Sequence, residues 1–370
     1  MARIDIFLKI MREAGASDLH LASESAPVLR INGQLAPAEH RALTEDEVRL
    51  LVYELLTENQ IRVFEEEGEL DCAHTLEGTA RFRIHVFRRH PGIACAFRVI
   101  PHEVPTIESL GLPPAIPKML EQRAGLILVT GPTNSGKSTT LAAMVDHLNR
   151  NTRGHILTLE DPLEFIHEPK NCLINQRQIG EHSKTFASAL RGALRADPNV
   201  ILVGEMRDLE TISLALTAAE LGLLVLGTLH TKSAAQTISR VADAFPADQQ
   251  AAVRLTLSEV LLGVCSQQLL RRSDGKGRVA AFEILLGTQA VRTMIREGKG
   301  HQVNNVIVTG KKDGMKLLDQ YLKELIHNGL VTAEEAARYA EEPETILAFG
   351  RSGGKLPPDQ APPKPGAPVA

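Results

Sequence analysis

The sequence predicts an α/β protein built around a mostly parallel sheet, with a smaller α+β domain before it. Two observations predict this class. Apolar strand-like runs alternate with helical patterns after residue 118, and a glycine-bounded loop joins one such strand to a helix. This alternation is typical of strand–helix–strand units, which form parallel sheets. We place strands at 126–130, 155–160, 200–204 and 223–230, and helices at 137–149, 185–195, 208–221 and 233–244.

Composition is that of a globular protein with more than one domain. The 370 residues suffice for two or three domains, and the 43% hydrophobic and 23% charged contents are ordinary. A net charge of −4 gives no sign of a surface for polyanions. Aromatic residues make up only 4% and tryptophan is absent, so the composition lacks the aromatic signal expected of a nucleic-acid motor. We therefore predict no nucleic-acid partner, although stimulation of activity by DNA would revive that class.

Cysteine usage and the apolar runs predict a cytoplasmic protein. No apolar run reaches the roughly 18 residues that span a bilayer, and the first ten residues mix charges into their apolar positions, unlike a signal peptide. Cys72, Cys95, Cys172 and Cys265 are far apart and form no C-x-x-C pair. Neither a zinc site nor a disulfide framework is indicated, and a reducing compartment is expected.

The amino-terminal domain is predicted over residues 1–100. An Asn-Gly pair at 32–33 between apolar alternations indicates a hairpin, and the run from Thr44 to Glu47 is a capping box that opens a helix. The strand at 80–89 has apolar side chains on one face and Arg81, Arg83 and His85 on the other. The strand at 93–100, which carries Arg98, is expected to pair beside it. Such an arginine face is often only a solvated surface, but arginines from a neighbouring domain or subunit also stabilise phosphate charge.

The remaining boundaries follow from proline content and helical patterning. Residues 101–117 contain five prolines and are predicted to be a linker. The second domain is predicted over 118–350, with helical patterns from Asp248 to about Leu270 and a helical subdomain at about 289–345. Residues 351–370 contain six prolines and almost no large apolar residue, so a disordered tail is expected.

A phosphate-binding loop follows the strand at 126–130. Gly131, Gly136, Lys137 and Ser138 satisfy the pattern G-x-x-x-x-G-K-[ST]. In such a loop the backbone N–H groups wrap a phosphate at a helix amino terminus, the lysine reaches the β- and γ-phosphates, and the serine hydroxyl ligates Mg²⁺. Asn134 replaces a glycine of many such loops, and asparagine tolerates the positive φ that this position needs. The predicted nucleotide-binding residues are Gly131, Pro132, Thr133, Asn134, Ser135, Gly136, Lys137, Ser138 and Thr139, with Ser138 as the Mg²⁺ ligand.

Acidic and polar residues follow other predicted strands. Glu160 and Glu164 come at or after the end of the strand at 155–160, and Glu205 follows the strand at 200–204. His230 ends the strand at 223–230. Because ligands collect at the carboxyl ends of parallel strands, we expect these groups near the phosphates, where carboxylates hold metal or orient water. A histidine at a strand end is more often a plain surface residue.

Together these segments resemble the secretion-type hexameric ATPases, and within them the PilT-like motors of type IV pilus retraction. The resemblance covers about residues 1–345. It rests on Gly131–Ser138 as the Walker A loop and Glu160–Glu164 as the acidic "Asp box". It rests equally on the Walker B segment Val203–Asp208, the "His box" Gly227–Thr231 and an "AIRNLIRE"-like stretch at 290–299. No tetracysteine motif is present, unlike in most pilus-assembly and type II secretion ATPases.

The resemblance implies a fold and an activity. It implies a RecA-like P-loop ATPase domain with a PAS-like amino-terminal α+β domain and a carboxy-terminal helical extension. ATP and Mg²⁺ would be the cofactors, bound between subunits of a homohexamer that drives pilin depolymerisation and twitching motility. The motor would be cytoplasmic and peripheral to the inner membrane, without insertion, on a polytopic platform protein of the pilus machine.

The resemblance also implies residue roles. Glu205 would activate water, Glu164 would support metal and water beside Glu160, and His230 would couple nucleotide to subunit contacts. Arg81, Arg83 and Arg98 would contact ATP of a neighbouring subunit. The chain departs from the family pattern at Leu221 and Leu223, where the family generally has Thr and His.

Two other functions stay open from the sequence. One is a divergent paralogue that acts in pilus assembly or type II secretion. The other is a scaffold that binds nucleotide without hydrolysing it. Surface pilus abundance distinguishes the first from a retraction motor, and turnover under Mg²⁺-ATP distinguishes the second.

Overall fold

The computed structural model describes residues 2–31, 33–100 and 103–357, and its contacts divide the chain into two units. The first unit comprises Met1–Glu103 together with Pro162–Ile166. The second comprises Val104–Asp161 together with His167–Ala370. Within the described ranges, no helix has both the length and the apolar character needed to cross a membrane.

The first unit is a six-stranded antiparallel sheet with helices, in the strand order β3-β2-β1-β6-β5-β4. Each strand pairs antiparallel with its neighbours. The elements are α1 (Ile4–Glu13), β1 (Asp18–Ala22), β2 (Val28–Ile31), β3 (Gln34–Pro37), α2 (Glu45–Tyr53), α3 (Glu58–Glu67), β4 (Glu69–Leu76), β5 (Ala80–Arg88) and β6 (Ile93–Ile100).

Local sequence signals account for several of these elements. The side chain of Thr44 accepts from the backbone of Glu47 and the Glu47 carboxylate accepts in return, so the predicted capping box is confirmed at the start of α2. Strand β5 alternates as predicted, with Phe82, Ile84 and Val86 buried in the core. The predicted hairpin is present as β2 and β3, while its turn residue Asn32 lies outside the described residues.

The second unit is a seven-stranded sheet with helices on both faces, in the order β13-β12-β7-β11-β10-β8-β9. All neighbouring strands are parallel except the β12–β13 pair. The elements up to the last parallel strand are α4 (Ala115–Leu120), β7 (Gly125–Thr130), α5 (Lys137–Asn151), β8 (His155–Glu160), β9 (Leu173–Gln178), α6 (Phe186–Ala193), β10 (Val200–Val203), α7 (Leu209–Glu220), β11 (Leu224–Leu229), α8 (Ala234–Asp243), α9 (Gln250–Val260) and β12 (Leu261–Arg271).

The carboxy-terminal part of this unit adds a strand and a set of helices. They are β13 (Arg278–Leu286), α10 (Gln289–Arg296), α11 (Val303–Thr309), α12 (Leu318–His327), α13 (Ala333–Ala337) and α14 (Pro343–Arg351). Helices α12, α13 and α14 share a small core with Leu270 of β12. Residues 358–370 of the predicted disordered tail lie outside the described part of the chain.

Strand β7 is buried on both faces and anchors the phosphate loop. Leu126 and Leu128 belong to the core on one side of the sheet, and Ile127 and Val129 belong to the core on the other side, under α5. A strand held on two faces has a continuous apolar run, which explains why it is evident in the sequence. The loop after Thr130 therefore starts from a rigid base.

The helical prediction for 248–270 is wrong in its second half. Helix α9 ends at Val260, and Leu261–Arg271 is a strand that pairs with β7 and β13. The run is buried on both faces, and periodicity alone does not separate such a strand from a buried helix. Strand β9, at the sheet edge, is also absent from the predicted elements because its polar residues Asn175, Gln176 and Arg177 hide the strand pattern.

Much of the segment predicted as a linker packs against the second unit. Ile107, Leu112 and Ile116 are buried in the core that also contains α5. Helix α4 begins at Ala115, directly after a pair of prolines. Proline is well tolerated at the start of a helix. The prolines of this segment therefore mark the start of helix α4 as well as the connection between the two units.

Candidate nucleotide-binding site

Four adjacent parallel strands end at one edge of the second unit's sheet. Strands β7, β11, β10 and β8 lie side by side in that order, with Thr130 opposite Leu229 and Val203 opposite both Gly227 and Leu159. The groups at or just beyond their ends are the glycine-bounded loop after β7, His230 after β11, Glu205 after β10 and Glu160 as the last residue of β8. The topology thus brings them to the edge where parallel sheets bind ligands.

The loop after β7 owes its shape to residues with positive φ. Gly131 and Gly136 have φ values of +145° and +88°. A Cβ atom at Gly131 would lie 2.3 Å from the carbonyl oxygen of Gln267 and 2.6 Å from the Ser135 hydroxyl, so only glycine fits there. Asn134 has a φ of +65°. The expectation that asparagine serves at this left-handed position is confirmed.

Unsatisfied groups of this loop fit a phosphate ligand. The Ser135 hydroxyl is buried and has no hydrogen-bond partner among the described residues. Helix α5 starts at Lys137 with Gly136 as its N-cap, and within the described part of the chain no side chain caps its first N–H groups. Free N–H groups at a helix start, together with the helix dipole, attract anions. Ser138 lies beside them and is exposed, so its hydroxyl is accessible to a metal ion. The loop residues therefore fit a polyphosphate with Mg²⁺.

The ammonium group of Lys137 is folded onto its own loop. Its Nζ donates to the carbonyl oxygens of Gly131 at 2.8 Å and Pro132 at 3.0 Å. These bonds hold the positive charge at the mouth of the loop. A phosphate oxygen is a better partner for an ammonium than a neutral carbonyl, so the same side chain can transfer to a bound nucleotide.

Glu205 is held by two basic side chains. Oε1 of Glu205 lies 2.6 Å from Nε2 of His230 and also forms an ion pair with Arg207. Burial acts to raise the pKa of Glu205, but the hydrogen bonds from Arg207 and His230 outweigh it, so the pKa is lowered from its ordinary value. Glu205 is therefore a carboxylate at neutral pH, the form that can orient or activate a water molecule.

The other two predicted carboxylates have different surroundings. Oε1 of Glu160 accepts from the Thr158 hydroxyl at 2.6 Å and from the Gln176 amide at 3.4 Å. Glu164 lies in the segment Pro162–Ile166, which belongs to the first unit. There its Oε1 is 3.6 Å from Nη1 of Arg83. A role for either carboxylate at metal or water stays a prediction.

The three predicted arginines have partners within the first unit. Arg98 donates through Nε to Oδ1 of Asp18 at 2.7 Å, and Asp18 is only 5% exposed. Arg81 donates to the carbonyl oxygen of Leu163 at 3.2 Å and to the Thr75 hydroxyl at 3.1 Å. Arg83 lies on the same sheet face, opposite Arg98 in the strand register. Their action on a nucleotide of another subunit remains a prediction.

The structure adds contacts that the sequence does not single out. Arg207 belongs to a recognisable motif, but its pairing with Glu205 depends on the turn after β10. Gln267 lies on β12, in the stretch predicted as helical, and its side chain touches the phosphate loop. A strand prediction for 261–271 would have placed its polar residues at the same sheet edge as the loop, and the Ser-Gln-Gln run at 266–268 was the available signal.

The parallel sheet, the glycine-bounded loop after β7 and the carboxylate that follows β10, two strands away in the same sheet, define the class of α/β P-loop nucleotide-binding proteins. The family model described as "Type II/IV secretion system protein" matches residues 4–351. The chain belongs to this family.

Individual relatives are similar over most of the chain. The chain is 50% identical to the "Type IV pilus retractation ATPase PilT" of Pseudomonas aeruginosa over 339 residues, which cover 92% of this chain and 98% of that protein. It is 47% identical to the "Twitching motility protein" of Neisseria gonorrhoeae over 320 residues, 86% of each chain. Among solved structures, the crystal structure of the "Pilus Retraction Motor PilT and Bound ADP" matches with a TM-score of 0.85 at 42% identity, covering 94% of this chain and 99% of that one.

Proposed function

We propose that this protein is a Mg²⁺-dependent ATPase whose hydrolysis cycle drives retraction of type IV pili. The observation that carries the proposal is the arrangement of Glu205 and His230 at strand ends next to the phosphate loop on β7. The two pilus relatives and the ADP-bound retraction motor, similar along nearly the full chain, support the biological setting.

Nucleotide binding is assigned to the loop between Gly131 and Thr139. Backbone N–H groups at the start of α5 and the Ser135 hydroxyl face the phosphates, and Lys137 exchanges its carbonyl partners for phosphate oxygens. Ser138 is the proposed Mg²⁺ ligand. When bound, Mg²⁺ supplies positive charge against the phosphate oxygens.

Glu205 is proposed to orient the attacking water and accept its proton. Its lowered pKa keeps it ionised at neutral pH. The hydrogen bond with His230 aims the carboxylate and joins it to the end of β11, so movement at β11 changes the position of Glu205. Glu160 and Glu164 are proposed to support the metal and the water. Little other covalent chemistry is needed from the protein, because phosphoryl transfer depends mainly on positioning and charge.

The working assembly is proposed to be a homohexamer. Arg81, Arg83 and Arg98 occupy one face of the first unit's sheet, and we assign them to the nucleotide of a neighbouring subunit, where guanidinium groups stabilise phosphate charge. The ring is proposed to act in the cytoplasm at the inner membrane, against a membrane platform protein of the pilus machine and without inserting into the bilayer.

The test is a deletion strain complemented with either wild type or Glu205→Gln, scored for surface pili and twitching motility. Abundant but immobile pili that only wild type corrects are the expected result. Loss of surface pili would instead indicate an assembly motor. Normal pili and motility in the deletion strain would contradict a role in the pilus system under test.

A further inference from the structure

Gln267 on strand β12 lies directly beneath the phosphate loop. Ser266 of β12 pairs in register with Thr130, the last residue of β7, and their hydroxyl groups are 2.8 Å apart. Gln267 follows Ser266 and therefore lies beside the loop that begins at Gly131. Side chains alternate along a strand, and Cys265, two residues earlier, is buried on the α5 side of the sheet. Gln267 therefore points toward the loop and the first turn of α5.

The side-chain amide of Gln267 connects two points of the phosphate-binding segment. Its Nε2 donates to the carbonyl oxygen of Ser135 at 2.5 Å, and its Oε1 accepts from the Thr140 hydroxyl at 2.8 Å. Ser135 precedes the second glycine of the loop, and Thr140 lies in the first turn of α5. Both bonds are out of reach of solvent, since Gln267 and Thr140 are each only 2% exposed. Buried hydrogen bonds of this kind are costly to leave unmade.

The contact also defines the space available to the loop. A Cβ atom at Gly136 would lie 2.8 Å from Nε2 of Gln267, and one at Gly131 would lie 2.3 Å from the Gln267 carbonyl oxygen. The backbone of Gln267 thus packs against Gly131 and its side chain against Gly136, which leaves no space for a Cβ atom at either glycine. An amide is suited to this place because it donates to a carbonyl and accepts from a hydroxyl at once, which neither a carboxylate nor a thioether does.

We propose that Gln267 is a positioning residue that holds the phosphate loop in the shape that binds the phosphates of a nucleoside di- or triphosphate. This inference rests on the nucleotide binding in the proposed function. Without the amide, the phosphate loop of the nucleotide-free protein can adopt other conformations. Only a fraction of the molecules then has the loop conformation that binds nucleotide. Apparent affinity falls in proportion to the binding-ready fraction. Removal of the Gln267 amide should therefore weaken nucleotide binding more than it destabilises the sheet.

The experiment measures the Kd for ADP by titration of the full-length protein, with the melting temperature of each variant. Gln267→Met keeps length and removes both hydrogen bonds, and Thr140→Val removes one of them with little change of shape. Gln268→Met is the matched control, because Gln268 is buried on the same strand but points to the other face. We expect Gln267→Met to weaken ADP binding about tenfold and Gln268→Met to leave it unchanged at a similar melting temperature.

A double variant tests whether the two residues act as one unit. Because Thr140 and Gln267 share a bond, adding Thr140→Val to Gln267→Met should weaken ADP binding no further. Wild-type affinity in Gln267→Met, or fully additive losses in the double variant, would overturn the inference. If Gln267→Met fails to fold, unchanged ADP affinity in Thr140→Val overturns it. A wild-type protein that does not bind ADP would remove both this inference and the proposed function, whereas wild-type binding with unaffected variants removes the inference alone.

Discussion

Nε2 of His230 lies 2.6 Å from Oε1 of Glu205, although 25 residues separate the two in sequence. The contact exists because β10 and β11 are parallel neighbours, so the residues just beyond them meet at one sheet edge. It joins the proposed water-activating carboxylate to a second strand end. Replacing either partner is therefore expected to change chemistry at the site more than the fold.

Replacement of Glu205 by glutamine should separate binding from hydrolysis. Glu205→Gln keeps shape and a hydrogen-bonding oxygen but removes the charge that accepts a proton. We expect ATP binding to persist and phosphate release to fall by about 10²- to 10⁴-fold. Glu210→Gln is the control, because Glu210 forms an exposed ion pair with Arg191. Full turnover by Glu205→Gln would remove the assignment of this residue.

Arg207 should set the acid limit of the pH–rate profile. Its ion pair with Glu205 is one of the interactions that lower the pKa of that carboxyl against the opposing effect of burial. In Arg207→Gln the pKa of Glu205 rises, so a larger fraction is protonated and inactive at mildly acidic pH. The acid limb of ATPase activity should shift to higher pH, while activity at alkaline pH changes less. An identical acid limb in wild type and Arg207→Gln, with Arg191→Gln as the control, would contradict this.

The arginines of the first unit should act across subunits. Mixing Lys137→Ala subunits, which keep their arginines, with Arg83→Ala subunits, which keep their phosphate loop, should restore ATPase activity above that of either alone. Intact sites then receive an intact arginine from a neighbour. Mixing Lys137→Ala with Glu205→Gln is the control, because both changes lie in the same unit and no rescue is expected. The same mixtures are made with Arg81→Ala and Arg98→Ala, and lack of rescue in every combination would exclude action in trans.

Glu283 should make the stability of the protein depend on pH. This β13 residue is 1% exposed, and its carboxylate accepts from the backbone N–H of Ala234 at 2.7 Å. Burial raises its pKa to about 7, aided by the nearby charges of Glu341 and Asp319 and opposed by the bonds from Ala234 and Leu318. A carboxyl group whose pKa is higher in the folded state stabilises below its unfolded value near 4.5, and this stabilisation is lost as pH rises through 7.

The free energy of unfolding, measured by denaturant titration between pH 5 and pH 8, checks this expectation. The contribution of Glu283 should fall by about 2–3 kcal/mol over that interval, and Glu283→Gln should flatten the dependence and be relatively more stable at pH 8. Glu334→Gln, at an exposed position of α13, is the control. Equal pH dependence in wild type and Glu283→Gln would show that the group titrates in its ordinary range.

Local patterns predicted the elements whose signals lie within a few residues. The loop after Thr130, the capping box at Thr44 and the alternation of β5 depend on backbone preference and side-chain period, which neighbouring residues alone specify. Strand β12 was missed because its residues are buried on both faces and show no alternation of apolar and polar side chains. Its strand conformation comes from pairing with β7 and β13, which lie elsewhere in the sequence.

The amino-acid sequence by itself determined the α/β class, the phosphate loop and the acidic and basic residues available to it, because these depend on residue type and short spacing. Only the tertiary structure decided which of them meet. Pairing of β10 with β11 joins Glu205 to His230, and pairing of β7 with β12 places Gln267 beneath the loop. The physical reason is that strand order in a sheet is settled by burial over the whole unit, and side-chain neighbours follow from that order.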